Sequence, residues 1–365
     1  MISRRQFNAG LGSLALAGYG APAGAQGKTK FRVTNPNGAI DATQCFSTCG
    51  NEPRLNYYVM EGIEREQLPV NSLSQGMVAI AQSQADAGTV IPALFLPALA
   101  KEPELGVVAV YNWIPRNNNK IVVLASSEIK SVAELKGKRI GIRNQGDGSV
   151  AHIQMAFADL GLKPDYQVIA VGDVGMAGNA LQRGSIDAMV AYDTIAGRIE
   201  SLGFPLRYLP MTASFTNGSA TWYGVRKKDL KENRKAVVGF LRGTAKSTLF
   251  AHHNLIAAIK LHWLVYPESK PKTKTEAEAL KELESIMKFR RNAWIRWPND
   301  KEQRLGATSP DDWAAALHGA VVGTNNPGLA NTFGDGRNVY TNELLDEVND
   351  FDKAAVIKQA VEFQI

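Results

Sequence analysis

Apolar and polar positions alternate in short blocks along the chain, and the blocks change period. Phe31-Arg32-Val33-Thr34 alternates with period two and predicts a strand, closed by the turn residues Asn35-Pro36-Asn37-Gly38. Leu55 to Glu66 carries Tyr58, Met60 and Ile63 on a partial apolar face and predicts a helix; Leu68-Pro69-Val70 then starts a second strand. Ser74 to Ser83 predicts a helix, Asp86 to Val90 a short strand, and Ala93 to Leu99 an apolar helix. The β-branched runs Val107 to Tyr111 and Ile121 to Leu124 predict buried strands.

The rhythm is clearest from Ser131 to Gly203. A short helix opens at Ser131 with Glu134 three residues on, a capping pair. Strands at Lys138–Ile142, Tyr166–Val171 and Ile186–Ala191 alternate with helices at Ser149–Leu160, Ala177–Arg183 and Ile195–Leu202. Gly161, Gly184 and Gly203 stop those three helices. Such alternation through short loops predicts an α/β fold with a mostly parallel sheet covered on both faces. From Lys228 the pattern turns helical: Arg234–His252, Leu255–Val265, Glu276–Phe289, Asp311–Val322, Thr341–Asn349 and Lys353–Phe363, with a polar linker over Pro267–Lys274. Glu276, Glu278, Lys281, Glu282 and Glu284 read as a solvated face.

The first 25 residues stand outside this pattern. Ser3-Arg4-Arg5-Gln6-Phe7, the weakly apolar run Ala9 to Ala17 and the small-residue site Ala23-Gly24-Ala25 follow the order of a cleavable export signal, and the paired arginines resemble a twin-arginine signal. The mature chain is then expected to start near Gln26 and to work in the periplasm. No Cys follows the cleavage site, so no lipid anchor is expected there. Some 340 of the 365 residues remain, too many for one core, and two lobes are expected. The net charge of +6 falls to +4 once Arg4 and Arg5 leave, a mild balance compatible with an anionic ligand. No basic stripe interleaved with aromatics suggests nucleic acid, and no later run is long enough to span a bilayer.

Chemistry-bearing motifs are sparse. Cys45 and Cys49 read either as two small apolar side chains or as a local disulfide permitted by export; with no His beside them, zinc is not expected. The run from Gly141 through Gly146, Asp147 and Gly148 to Ser149 joins a strand to a helix. It reads either as a plain turn or as a helix start whose free N–H groups hold an anion; it lacks P-loop and dinucleotide spacing. Tyr192 and Asp193 sit at a strand C-terminus, where open α/β sheets collect ligands; Asp193 equally suits a helix cap. His152, His252, His253, His262 and His318 form no metal or triad pattern, and no nucleophile elbow follows a strand. Trp263, Trp294, Trp297 and Trp313 read as packing; Trp222 lies where the chain crosses between lobes and has a better claim to a cleft.

Several segments resemble the substrate-binding proteins of ABC importers, in the NMT1/THI5-like branch that binds sulfonates, taurine, nitrate and thiamine-precursor pyrimidines. They are Tyr57 to Leu68, Ala85-Asp86-Ala87-Gly88, Ser131 to Gly141, Gly146 to Ala151, Gly184 to Ala188 and Tyr340 to Leu345. The resemblance implies a type II periplasmic-binding-protein fold: lobe I from 26–121 plus 222–365, lobe II from 122–221, each a mostly parallel sheet flanked by helices, with extra C-terminal helices. It implies a small polar organic solute held between the lobes without cofactor, metal or catalysis, a monomer, and an inner-membrane permease as partner. Carried onto this chain, the ligand contacts fall on Asn37, Gln44 and Cys45, Thr89, Gly148 and Ser149, and Tyr192 with Asp193; Trp222 is added by its position. The chain departs from the family in the Cys45-Phe46-Ser47-Thr48-Cys49 insert, in Asp193, and in a longer segment over Pro267–Gly306. If Asp193 faces the cleft, it favours a ligand with N–H donors or positive charge; if it faces away, an anion is favoured. Two other readings share the resemblance: a pyrimidine-synthase-like enzyme using cysteines and histidine near iron, and a periplasmic sensor domain.

Overall fold

A computed structural model describes residues 28–145, 148–172, 174–217, 221–296 and 298–365. The expected export signal, Gly146, Asp147 and Trp297 lie outside the described residues.

Ten strands form two sheets. They are β1 (Thr29–Asn35), β2 (Ile63–Pro69), β3 (Ala87–Val90), β4 (Val107–Ile114), β5 (Asn119–Leu124), β6 (Lys138–Ile142), β7 (Tyr166–Ala170), β8 (Ala188–Tyr192), β9 (Leu206–Tyr208) and β10 (Thr221–Arg226). The first sheet has the order β2-β1-β3-β10-β4 and the second β7-β6-β8-β5-β9. Each is mixed. β1 pairs in parallel with β2 and β3, and β6 with β7 and β8; β10 and β5 run antiparallel to their neighbours. The parallel order expected from alternation therefore holds in half of each sheet. One strand in each sheet, β10 in the first and β5 in the second, runs against that direction and makes the antiparallel pairings on either side of it.

Helices cover both sheets: α1 (Cys45–Thr48), α2 (Leu73–Ala81), α3 (Pro92–Lys101), α4 (Ser149–Ala158), α5 (Val174–Gln182), α6 (Asp193–Ser201), α7 (Ala213–Asn217), α8 (Asp229–Glu232), α9 (Arg234–His253), α10 (Leu255–Val265), α11 (Glu276–Ile286), α12 (Arg290–Ala293) and α13 (Pro310–Gly323). Two short helices, Gly328–Phe333 and Leu345–Val348, and a longer one, Lys353–Glu362, follow. Four apolar clusters fill the space, one on each face of each sheet.

The helix expected over Leu55–Glu66 is absent. Val59–Glu61 makes a single 3-10 turn, Gly62 takes φ +75°, and Ile63 starts β2. The apolar face that suggested a helix is split: Tyr58 and Ile63 are buried and Met60 is exposed. Pairing of β2 along the whole of β1 overrides the local pattern. Similarly, Thr341–Asn349 contributes only one helical turn, Leu345–Val348.

The C-terminal helices do not stay on the first sheet. α13 packs on both α3 and α4, and α11 packs on both α6 and α10. Gly197 of α6 lies so close to Ile286 that a Cβ there would meet its backbone at 2.8 Å. Phe289 meets Tyr208 edge-on with centroids 5.2 Å apart, and Lys288 pairs with Glu200 at 3.0 Å. The long segment after Pro267 thus reaches across to the second sheet.

Candidate functional site

The parallel strands β1, β2 and β3 end on one side of their sheet, facing the end of β8 across a cleft of about 730 Å³, part of it continuous with solvent. Ligands collect at such strand ends because the loops there are free of the ladder. Thr34 to Asn37 at the end of β1, Gln67 on β2, and Thr89 and Ile91 at the end of β3 form one wall. Tyr192 and Thr194 form the opposing wall. Asn118 and Asn119 line it at the crossing, with Trp113, Thr221 and Tyr223 from the strands beside the crossings.

One side of the cleft is aromatic. Phe46 lies on Trp113 with centroids 4.6 Å apart at 7°, and Trp113 lies on Tyr223 at 5.8 Å and 24°. Around this flat surface stand side chains with buried polar atoms that make no hydrogen bond within the described protein: Gln44 Oε1, Asn119 Oδ1 and Trp113 Nε1. Each costs about 1–3 kcal/mol when left unmet, so each is a candidate ligand contact. Asn119 is held from behind by His152, whose Nε2 lies 3.2 Å from its Nδ2 and whose Nδ1 lies 2.9 Å from the Gly148 carbonyl.

Of the positions expected from sequence, Asn37, Gln44, Thr89 and Tyr192 line the cleft. Gly148 and Ser149, at the start of α4, are not among the residues that line it. Gly148 takes φ +83°, and a Cβ there would meet Ile91 of the opposite wall at 2.6 Å. Three residues turn away. Cys45 is fully buried in the core while its neighbours Phe46 and Ser47 face the cleft. Cys45 and Cys49 are free thiols, so no disulfide forms; burial pushes the pKa of both well above the ordinary thiol value. Trp222 is fully buried on the other face of the first sheet, stacked on Trp313 and donating from Nε1 to Thr308 Oγ1 at 2.9 Å. Strand parity decides this: Thr221 and Tyr223 face the cleft, and the residue between them faces the opposite way.

Asp193 neither faces the cleft nor serves simply as a cap. It is 1% exposed and forms an ion pair with Arg290 of α12 at 2.5 and 3.0 Å, while Oδ1 also accepts from the Thr194 N–H. Arg290 is the charged side chain among the described lining residues, and this pair neutralises it. Its partner lies 97 residues away in the long C-terminal segment.

Two further contacts cross the cleft. Arg198 pairs with Asp41 at 2.8 Å, and Arg143 Nη2 donates to the Pro36 carbonyl at 3.3 Å. The Arg143 guanidinium also lies 5.7 Å from the Tyr192 ring centroid.

Behind the aromatic wall, His262 is fully buried with Nδ1 2.6 Å from Thr48 Oγ1. Burial lowers its pKa to about 4, with Arg65 adding to the effect and Asp41 opposing it. The unfolded chain takes up this proton near pH 6.5, whereas the fold refuses it until about pH 4. This stability is therefore complete above about pH 6.5 and lost as pH falls from 6.5 towards 4, amounting to about 3 kcal/mol. Urea denaturation of the wild type and His262→Gln at pH 7 and 4.5 checks it. The wild type should lose about 2–3 kcal/mol more between the two pH values than the variant; equal losses would remove His262 as the cause.

Among the described residues, no group of three or more His, Cys, Asp or Glu could hold a metal ion, and no helix is long and apolar enough to cross a membrane.

The sequence model of the family described as "NMT1/THI5 like" matches residues 52–254. Among solved structures, the periplasmic aliphatic sulphonate binding protein SsuA from Escherichia coli superposes with a TM-score of 0.60 at 16% identity, covering 82% of this chain and 93% of that one. The alkanesulfonate-binding protein SsuA from Xanthomonas axonopodis pv. citri, bound to MOPS, gives 0.57 at 16% identity, covering 89% and 99%. The ligand-binding component of an ABC-type import system from Staphylococcus aureus, with zinc bound, gives 0.59 at 12% identity, covering 88% and 99%. At these identities the likeness is one of fold: the two-lobed α/β architecture of periplasmic binding proteins. No curated protein sequence matches the chain.

Proposed function

The chain belongs to the NMT1/THI5-like family, and from that premise we propose that it is the periplasmic solute-binding component of an ABC importer. It captures a small polar organic ligand, a sulfonate, a nitrogenous compound or a related organic anion, between its lobes and releases it unaltered to an inner-membrane permease. The observation that carries this reading is the cleft itself. A flat aromatic wall is bordered by buried amide and indole groups that lack partners among the described residues, and both sheets contribute to it. An apolar surface with a few convergent polar atoms is the ordinary form of a small-molecule site. Structural neighbours named as the ligand-binding component of an ABC-type import system and as a periplasmic sulphonate binding protein support the same reading. Cleavage of an export signal after Ala25, the division into 26–121 plus 222–365 and 122–221, and a monomeric state belong to this proposal.

The mechanism is a population shift. A ligand touching both walls gains contacts in the closed form that the open form lacks, and this differential affinity draws the lobes together. Arg198–Asp41 and Arg143–Pro36 are contacts of the closed arrangement. The enzyme reading draws no support from the cleft, because Cys45 and Cys49 are buried in the core and do not line it.

A thermal-shift screen of small sulfonates, carboxylates, amines and heterocycles tests the proposal. A captured solute at 100 times its Kd adds about 2.7 kcal/mol to the folded state and raises the melting temperature. A compound consumed on incubation would sink the reading. For the best compound, Tyr192→Ala should weaken binding about tenfold or more in calorimetry without unfolding the protein, since it removes a ring from the second wall. Unchanged affinity would remove Tyr192 from the site.

A further inference from the structure

Arg65 of β2 is 7% exposed and makes no ion pair among the described residues. Its Nη2 donates to Ser47 Oγ at 3.3 Å and to Gln67 Oε1, while among the described residues Nε and Nη1 meet no acceptor at good hydrogen-bond geometry, the phenols of Tyr223 and Tyr266 lying within looser reach. Its surroundings are neutral. The Tyr58 ring lies beneath it with the centroid 5.5 Å away, the phenols of Tyr223 and Tyr266 stand beside it, and His262 nearby is kept uncharged by burial. Asp41, the nearby carboxylate, is bound by Arg198. A guanidinium cannot shed its proton, and arginines this deeply buried are otherwise paired. An isolated buried charge is among the most costly groups a fold can carry.

Both acceptors held by Arg65, Ser47 and Gln67, line the cleft. The guanidinium therefore lies one hydrogen bond behind the wall, where the low dielectric carries its field into the cleft. It also orients that wall: the Gln67 oxygen is engaged by Arg65, so the amide is left to present its NH2 as a donor. Of the cations around the cleft, Arg290 is neutralised by Asp193 and Arg198 by Asp41, while Arg143 donates to the Pro36 carbonyl at the rim.

We propose that Arg65 is the residue that fixes the charge sign of the captured ligand: the cleft takes an organic oxyanion whose negative charge compensates this guanidinium across Ser47 and Gln67. The inference rests on the capture reading given above and narrows its ligand class. Positive and neutral solutes of the same shape are rejected because they leave the buried charge unmet.

Calorimetry at fixed ionic strength with benzenesulfonate, benzoate, benzamide and benzylammonium, four probes of one size, tests it. The two anions should bind the wild type about tenfold or more tighter than benzamide, with benzylammonium weakest. Arg65→Gln should bring anions and benzamide to within about threefold, and Arg65→Lys should keep the preference. If Arg65→Gln does not fold, the wild-type order and a reduced anion preference in Gln67→Met decide. Benzamide or benzylammonium binding as tightly as the anions would overturn this inference and leave capture standing. An anion preference unchanged in Arg65→Gln, or in Gln67→Met when that variant decides, would do the same. Failure of all four probes on the wild type would also overturn it, while the wider screen decides the fate of capture itself.

Discussion

Asp193→Ala is expected to destabilise the protein by about 3–5 kcal/mol, because it leaves the Arg290 guanidinium buried at the cleft without a counter-charge. The pair is 1% and 8% exposed at its side chains, so water cannot replace the lost carboxylate. The same deletion frees the start of α6 from the Arg290 segment, which also holds the second sheet through Phe289 and Lys288. Replacing both partners with apolar side chains, Asp193→Leu with Arg290→Met, should recover most of the loss, since a buried ion pair yields little net stability over a packed apolar pair. Denaturant titration of the two singles and the double gives the coupling. A single-variant loss below about 1 kcal/mol would mean that the pair is solvated in solution.

Gly148→Val is the second large effect, expected on ligand affinity. At φ +83° a β-branched residue is strained by about 1–2 kcal/mol, and its Cβ would press on Ile91 across the cleft. Such overpacking adds about 1–3 kcal/mol, felt only when the walls meet. Affinity for a captured solute should fall about 100-fold, since the clash taxes the closed form and spares the open one. Two companions separate strain from contact. Gly148→Asn tolerates the left-handed conformation and meets Ile91, so it should retain the affinity loss with a smaller stability loss. Gly148→Val with Ile91→Ala should regain part of the affinity. If Gly148→Val binds as the wild type does, the α4 start is not part of the closing surface.

Much of the fold can be read from residues close together in the chain. The β6–β8 region has the expected order because each strand, glycine stop and helix is decided within about ten residues; Gly161, Gly184 and Gly203 all take positive φ where their helices end. Leu55–Glu66 fails the same reading because β1 recruits Ile63 onward as a partner, an event its own periodicity does not encode. The site divides similarly. Asn37, Gln44, Thr89 and Tyr192 follow from the rule that loops at parallel-strand ends gather ligands. Trp222 and Cys45 miss the cleft by one residue each, since parity in a strand or rotation about one helical turn sends neighbours to opposite sides. Trp113, Phe46 and Gln67 carried no usable signal, being apolar or amide residues within ordinary patterns.

The sequence by itself determined most element types, the expectation of two lobes and the strand ends that form a cleft, because these follow from local periodicity, turn chemistry and chain length. Only the tertiary structure decided the electrical character of that cleft. Asp193 is silenced by a cation 97 residues downstream, whereas Arg65 pairs with no carboxylate among the described residues. The state of a charge depends on which groups share its few ångströms, and those neighbours come from distant parts of the chain.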